Sequence, residues 1–445
     1  MTHIFLYGPP GTGKSTIGKI LARSLKMPFV DLDRVIESNA GLSIAQIMEQ
    51  QGEMVFRDLE SAALKETVGH AFTVTNSQDK VIALGGGALL RDENRAFAEA
   101  HGTVVLLMAK LTTLLERLKN DAGNRPLLAG GMREKLTALL DQRREHYSSF
   151  NIQLQVDAKI SKQNALQIQT RLGRFHLRAM GEYDVLVQRV EQVGNLLSER
   201  GLQNPVIVTD ENVAKFHAES VMAALRRAGF HPNLLTIPVG EAYKTLDTVR
   251  QLWHGFLNAG LDRKSTVIAL GGGVIGDMAG FAASTYMRGI NWVCVPTTLL
   301  SMVDASLGGK TGFDIPEGKN LIGSFYPPKL VLVDPQVLKT LAEAEFVSGL
   351  AEVVKHGIIS DPDLFDLGAR GLDCIKDDLE QVVRQAMAVK IKIIEEDPYE
   401  KGLRAALNLG HTVGHAVELV SRFQLRHGEA VAIGMVAEAK LAEHL

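Results

Sequence analysis

Two glycine-containing stretches of this sequence combine with charged side chains in patterns that can do chemistry. GPPGTGKS at residues 8–15 fits G-x-x-x-x-G-K-[ST], and it lies between the apolar run IFLY and a helical pattern over residues 15–25. In that setting successive backbone N–H groups and the helix N-terminus cradle a β-phosphate, Lys14 neutralises β and γ oxygens, and Ser15 ligates Mg2+. Next, FVDLD reads as the end of a strand with Asp31 and Asp33 on one face, which suits a metal shell and a hydroxyl-accepting base. Arg57 in GEMVFRDLE and Arg143 in DQRREHY are candidates for a bidentate clamp on a substrate carboxylate.

The second stretch, GGGVIG at residues 271–276, satisfies G-x-G-x-x-G after the run STVIAL and reads as a dinucleotide pyrophosphate turn through Gly273, Val274, Ile275 and Gly276. The following run, INWVCVPTT, holds no acidic residue for a ribose, so Asp210 at the end of PVIVTD is the better candidate. Further on, Glu352 in GLAEVVKHG, His411 and His415 in NLGHTVGHA, and His427 in RHGEA suggest a metal site. His411 and His415 stand at i and i+4 on one helical face, and a Glu/His/His set with an open position is a catalytic Zn2+ pattern. Spacing alone does not choose between the two. Arg288, Lys310, Lys319, Lys355, Lys390 and Arg404 lie singly in glycine-rich or apolar segments, which points to a buried anionic substrate rather than a solvated face.

An α/β framework is needed to position these residues. From the start to about residue 169, the runs IFLY, MPFVDLD, VIALGGG and TVVLLM alternate with helix-length amphipathic stretches, the pattern of a parallel α/β layer. A second alternation begins near residue 183 with DVLV, PVIVTD, NLLTIPV, STVIALGGG and INWVCVP. Residues 172–181 show weak periodicity and two glycines, and the junction is expected there. After residue 341 helical patterns take over, at 342–359, 376–396, 411–420 and 429–445. The expected domains are therefore 1–173, 174–341 and 342–445. The last helical pattern runs to the final residue with no Gly, Asn or Pro to stop it, so the helical domain reads as incomplete. VIALGGG occurs twice, at residues 81–87 and 267–273, but only the second copy continues into the full dinucleotide pattern.

The bulk numbers bound the function. The 445 residues, 46% hydrophobic and 22% charged, suit a soluble protein of two or three domains. A net charge of −3 gives no electrostatic reason to expect nucleic acid or an anionic membrane as partner. Cys294 and Cys374 form no disulfide framework, so a reducing cytoplasm is the expected setting. The N-terminus lacks the charged region of a signal peptide. Residues 265–287, with Asp277 and several glycines, read as a buried strand and helix rather than a membrane span.

Residues 1 to about 170 resemble shikimate kinase. The resemblance rests on the P-loop, FVDLDRVIE with Asp33, FRDLE with Arg57, the ALGGG turn, NRPLL with Arg125, and Arg143 four residues before Tyr147. It implies a P-loop kinase sheet that binds ATP and Mg2+ through Gly11, Thr12, Gly13, Lys14, Ser15 and Thr16. It also implies that Asp33 contacts the shikimate hydroxyls as a candidate base, while Arg57, Gly86 and Arg143 hold the ring and carboxylate. Arg125 would belong to a lid over residues 120–131 that closes on ATP.

From about residue 175 onward the sequence closely resembles 3-dehydroquinate synthase, with GEAYK, GGGVIGD, PTTLLSMVDASLGGKTG, GKNLIG, GLAEVVKHG, LNLGHTVGHA and HGEAVAIGM in that family's order. This implies a Rossmann-like α/β domain followed by a helical one that continues beyond residue 445 in the family. It implies Glu352, His411 and His427 as ligands of Zn2+ or Co2+, with His415 near the substrate. Asp210, Asn212, Glu241, Lys244, Gly273, Asp277, Thr297, Thr298, Lys310 and Thr340 would surround NAD+, with Lys319 between cofactor and substrate. Asp304, Lys319, Asn320, Lys355, Lys390, Arg404 and Asn408 would grip 3-deoxy-D-arabino-heptulosonate 7-phosphate, with Arg288 reaching in from the neighbouring subunit of a dimer. Transient oxidation by NAD+ would acidify a C–H so that phosphate leaves. The expected protein is thus a two-enzyme fusion of aromatic biosynthesis. Its rivals are another P-loop kinase joined to a metal-dependent alcohol or glycerol dehydrogenase, or a synthase-derived module without activity.

Overall fold

Five short runs of the N-terminal half line up as one parallel sheet: β1 (His3–Tyr7), β2 (Phe29–Asp31), β3 (Val81–Ala83), β4 (Gly102–Met108) and β5 (Ile152–Gln155), in the order β2-β3-β1-β4-β5. The structure is a computed structural model that describes residues 3–69, 79–119, 131–422 and 424–444. Its chain divides into two units, Met1–Arg171 and Leu172–Leu445. In the first, every residue of β1 and β3 is buried, as expected of apolar strands covered by helices on both faces. Phe5, Tyr7, Leu32, Ile36, Phe56, Leu64, Ile82 and Tyr147 join across the sheet into one core. Strand β5, IQLQ, has no apolar run to announce it; as an edge strand it buries only Leu154 fully.

One sequence expectation is corrected here. β2 stops at Asp31 and the chain turns at once into the helix Leu32–Ala40, so Asp33 lies in a first helical turn and not on a strand. Leu32, fully buried, fixes that turn, and the positive end of the helix dipole favours the Asp33 carboxylate there.

The second unit is built on β6 (Arg174–Leu177), β7 (Tyr183–Val187), β8 (Gln203–Asp210), β9 (Asn233–Ile237), β10 (Ser265–Gly271), β11 (Asn291–Pro296) and β14 (Leu330–Val333), in the order β6-β7-β14-β11-β10-β8-β9. All neighbours are parallel except β6 and β7. Strand β6 lies in the weakly periodic stretch 172–181. From β8 the chain steps outward to β9, and from β10 it steps the other way to β11, so the switch point falls between β8 and β10. Ligands of open α/β sheets bind beyond the carboxyl ends of such strands. An antiparallel hairpin, β12 (Lys310–Ile315) with β13 (Gly318–Phe325), stands apart from the sheet.

The two VIALGGG copies diverge in structure. The first leaves β3 into a turn over residues 86–89, whereas the second runs through β10 straight into the helix Gly273–Thr285. Beyond the sheet come the helices Glu343–Ser360, Leu379–Glu396, His411–Val420 and His427–Ala442. Among the described residues, no helix is long and apolar enough to cross a membrane.

Candidate functional site

In the first unit the loop between β1 and the helix Lys14–Ser24 is preformed, with Gly8, Gly11 and Gly13 at φ 134°, 83° and 85°. Lys14 Nζ donates to the carbonyls of Gly8 (2.7 Å) and Pro9 (3.0 Å), spanning the loop where phosphate oxygens would sit. The Thr12 hydroxyl is buried and donates to Pro9 O at 2.9 Å, so this residue offers its backbone rather than its side chain. Ser15 Oγ donates to Asp31 Oδ2 at 2.6 Å, pairing the two groups that a Mg2+ shell needs. Thr16 is exposed.

Beside the loop, Arg143 donates to Gly86 O at 2.7 Å and Tyr147 OH donates to the same oxygen at 3.1 Å. Arg57 is held by Glu60 at 2.7 Å and Glu53 at 3.1 Å. A Cβ on Gly87 would stand 2.7 Å from Arg57 Nη2, so a side chain there must push the guanidinium aside. A Cβ on Gly85 would lie 2.6 Å from Glu60 Oε1 and 3.0 Å from Asp33 Oδ1, so these two carboxyls converge over one glycine. Burial raises the Glu60 pKa against the pull of Arg57, and Asp33 adds to the rise. Glu60 and Arg117 are functional candidates that sequence reading missed. Glu60 follows Arg57 by one helical turn, and Arg117 reaches Gly11 O and Thr12 O at 3.4 Å each. Arg125 and residues 120–130 lie outside the described residues.

In the second unit, Asp210 ends β8 by accepting from Asn212 N and Val213 N, and Gly271 ends β10 next to it. The helix Gly273–Thr285 opens there with its N-terminal amides unencumbered by side chains at Gly272 and Gly273. Thr297 N donates to Gly271 O at 2.9 Å, while the buried Thr297 Oγ1 has no hydrogen-bond partner among the described residues. Lys244 is buried between Asp277 (2.7 Å) and Asn320 Oδ1 (2.5 Å), and Lys319 lies 3.9 Å from Glu241. Burial lowers the Lys244 pKa, but Asp277 and Glu241 outweigh it and hold the amine charged. Thr340 pairs with His217 at 2.7 Å. The tip of the hairpin therefore brings Lys319 and Asn320 to the Glu241–Lys244 side. Its other end places Lys310 3.7 Å from Glu400, whose Oε1 accepts from Asn408 at 2.8 Å.

The helical part brings Glu352, His411 and His427 together. Glu352 has no solvent exposure, and neither of its oxygens has a hydrogen-bond partner among the described residues, although Lys355 stands in ion-pair contact. His411 Nε2 and His427 Nε2 each lie 3.7 Å from Glu352 Oε1. Ligands about 2.0–2.2 Å from a tetrahedral ion stand roughly 3.3–3.6 Å from one another, so the set fits one dication with little adjustment. Close helix packing makes this possible: a Cβ on Gly428 would fall 1.8 Å from Ser348 O, and one on Gly434 would fall 1.9 Å from Gly410 O. His415 is exposed, its ring 5.3 Å from that of His411.

Adjoining this set, Lys390 Nζ donates to Asp304 Oδ1 (2.7 Å) and Asp304 O (2.8 Å). Burial pushes the Asp304 carboxyl up, but Lys390, Lys355 and His356 hold it well below the usual carboxylate range. Arg404 is buried and donates to Pro398 O. Arg288 is exposed, at φ 71° after Met287 at φ 51°.

His356, another residue the sequence reading missed, is fully buried with both ring nitrogens unbonded among the described residues. Burial lowers its pKa to about 4, with Asp304 opposing. Its folded value lies below that of the free side chain, so the unfolded chain binds more protons between pH 6.5 and 4. The stability it contributes is present above pH 6.5 and is lost as pH falls toward 4, by roughly 3 kcal/mol. Trp253 and Trp292 both lie in the second unit, so fluorescence-detected unfolding of the metal-free chain reads this unit alone. His356→Asn is expected to flatten the acid slope.

Comparison with known proteins decides what these sites belong to. The shikimate kinase family matches residues 10–172, the N-terminal domain of 3-dehydroquinate synthase matches 234–348, and its C-terminal domain matches 349–445. The 3-dehydroquinate synthase of Geobacter sp. (strain M21) is 48% identical over 261 residues, covering 57% of this chain and 72% of the relative. The chain belongs to the 3-dehydroquinate synthase family, with a shikimate kinase domain ahead of it. It is accordingly an enzyme of two units, a phosphotransferase and a phosphorus–oxygen lyase. Among solved structures, a 2-deoxy-scyllo-inosose synthase complexed with carbaglucose-6-phosphate, NAD+ and Co2+ superposes with TM-score 0.56 at 30% identity, covering 61% of this chain and 76% of its own. A 2-epi-5-epi-valiolone synthase from Streptomyces hygroscopicus with NAD+ and Zn2+ bound gives TM-score 0.52 at 33% identity, covering 57% and 72%.

Proposed function

We propose that the kinase unit transfers the γ-phosphoryl group of ATP to shikimate, and that the synthase unit converts 3-deoxy-D-arabino-heptulosonate 7-phosphate to 3-dehydroquinate and phosphate. The observation that carries the first reading is the convergence of Asp33, Arg57, Arg143 and the Gly86 turn beside the phosphate loop. Asp33 accepts the proton of the attacking hydroxyl, and Glu60 holds the Arg57 guanidinium that pairs with the shikimate carboxylate. Lys14 exchanges the Gly8 and Pro9 carbonyls for phosphate oxygens. Mg2+, held through Ser15 with Asp31 behind it, would neutralise charge on the transferring group. ADP release across a panel of small hydroxy acids tests the reading; release with other acceptors and none with shikimate would contradict it.

In the synthase unit, the carrying observation is the Glu352–His411–His427 set beside the Asp304, Lys355 and Lys390 floor. NAD+ bound beyond β8 and β10 would supply reversible oxidation of a substrate hydroxyl, and Zn2+ or Co2+ on the Glu/His/His set would polarise that oxygen. Asp210, the Gly273 helix terminus, Lys244, Asp277, Thr297 and Thr298 orient the cofactor. Lys390 and Lys355 hold substrate oxygens, and Arg404 and Asn408 bind the anionic end. Lys319 and Asn320 close from the hairpin. Arg288, exposed in a left-handed loop, completes a neighbouring site in a homodimer; a monomeric mass in solution would remove that part. The two small-molecule reactions suit a cytoplasmic enzyme.

A prediction on the kinase side follows from Gly87. In Gly87→Ala the new methyl displaces the Arg57 guanidinium. Weakening one charge-assisted pair by about 1.5–3 kcal/mol raises the KM for shikimate roughly 10–150-fold. Steady-state kinetics should show the ATP KM unchanged.

A further inference from the structure

Both histidines of the candidate metal set present Nε2 to the same oxygen, Glu352 Oε1, at 3.7 Å. In each, the far nitrogen is already engaged. His411 Nδ1 lies 3.2 Å from Leu409 O, and a carbonyl only accepts, so that nitrogen carries the proton. His427 Nδ1 lies 2.9 Å from Glu418 Oε1. Glu418 follows His411 by seven residues on the helix His411–Val420, two turns along the same face, and its side chain is only 11% exposed.

The His427 ring thus stands between two carboxylates, Glu352 at Nε2 and Glu418 at Nδ1. A neutral imidazole carries one N–H and can donate to either. If it donates to Glu352, the nitrogen facing the metal position has no lone pair to give. If it donates to Glu418, Nε2 is free to ligate. We propose that Glu418 is the positioning residue that locks His427 in its metal-binding tautomer, the side-chain counterpart of the Leu409 carbonyl behind His411. This rests on reading Glu352, His411 and His427 as the ligands.

A rival arrangement exists, since His415, Glu418 and His427 also converge closely enough to share an ion. The desolvated charge argues against it. Glu352 is fully buried, with Lys355 at Oε2 and only the two Nε2 atoms facing Oε1, whereas His415 is exposed and Glu418 is satisfied by His427. A fully buried carboxylate whose Oε1 faces two imidazole nitrogens, with Lys355 on its other side, is better placed to hold a cation than the Glu418 carboxylate already engaged by His427.

The test is Co2+ binding by the full chain, read by d–d absorption with chelator competition, alongside 15N resonances of the His427 ring in the metal-free protein at a pH where the ring is neutral. Glu418→Ala is expected to weaken Co2+ binding roughly 10–100-fold and to mix the His427 tautomers. Glu418→Gln keeps an acceptor oxygen and is expected to recover most of the affinity, which separates orientation from misfolding. Affinity within twofold of the parent in Glu418→Ala, while His411→Ala abolishes binding, would overturn this inference alone. So would a second bound Co2+ that Glu418→Ala removes, or an Nε2–H tautomer in the parent. A parent chain that binds no Co2+ would overturn the ligand set itself, and this inference with it.

Discussion

Glu352→Gln is expected to lower phosphate release by the synthase unit at least about 10²–10³-fold, the several kcal/mol that a Lewis-acid ion contributes, while shikimate-dependent ADP formation stays unchanged. The charge is the issue. Glu352 is the one carboxylate of the set and is fully buried, with its oxygens turned to the two Nε2 atoms and to Lys355. An amide removes the anion and offers N–H groups to nitrogens that need a cation. It also strips the buried Lys355 of its counter-charge, which costs about 3–5 kcal/mol in stability. His411→Ala separates the two effects, because it removes a ligand and leaves the Lys355 pair intact. Both variants should lose bound metal by elemental analysis, and when all are compared metal-free only Glu352→Gln should show a clearly lower unfolding transition by tryptophan fluorescence. Undiminished phosphate release from metal-free protein would refute this account.

The second large effect is expected on the other unit. Lys14→Ala should cost the kinase roughly 10²–10³ in kcat, as for other preorganised groups that stabilise transferring charge. In the free loop Lys14 Nζ bridges the Gly8 and Pro9 carbonyls at 2.7 and 3.0 Å, so the loop also loses an internal brace and the ATP KM should rise. Phosphate release by the synthase unit should not change. A variant that keeps its kcat and loses only ATP affinity would place Lys14 in binding rather than in stabilising the transferring group.

Much of this was legible in the sequence because glycine and buried apolar runs leave strong local marks. The two VIALGGG copies announced strands, and only the second continued into the full dinucleotide pattern; that the first enters a turn and the second a helix is seen in the structure. The polar residues were harder. Asp33 read as strand because FVDLD alternates, but burial of Leu32 starts a helix one residue after Asp31. Glu60, Arg117, His356 and Glu418 act on groups distant in the chain or one to two helical turns away, so even His356, which lies inside GLAEVVKHG, carries no spacing that assigns it a role. For Glu60 and Glu418 the signal was present as spacing from Arg57 and His411 on one helical face. For His356 and Arg117 no local signal existed, since their environment is made by Asp304 and by the Gly11 and Thr12 carbonyls, far off in sequence. Strands β12 and β13 escaped because a freestanding hairpin exposes both Leu321 and Ile322, which blurs the period-two pattern.

The most direct test of the central claim follows phosphate and absorbance at 340 nm together. The full chain, loaded with NAD+ and Zn2+ or Co2+, would be given 3-deoxy-D-arabino-heptulosonate 7-phosphate. Stoichiometric phosphate release with no lasting rise in absorbance is the predicted result, because the cofactor is reduced and reoxidised within one turnover. Accumulation of NADH without phosphate would mark a dehydrogenase and contradict the account.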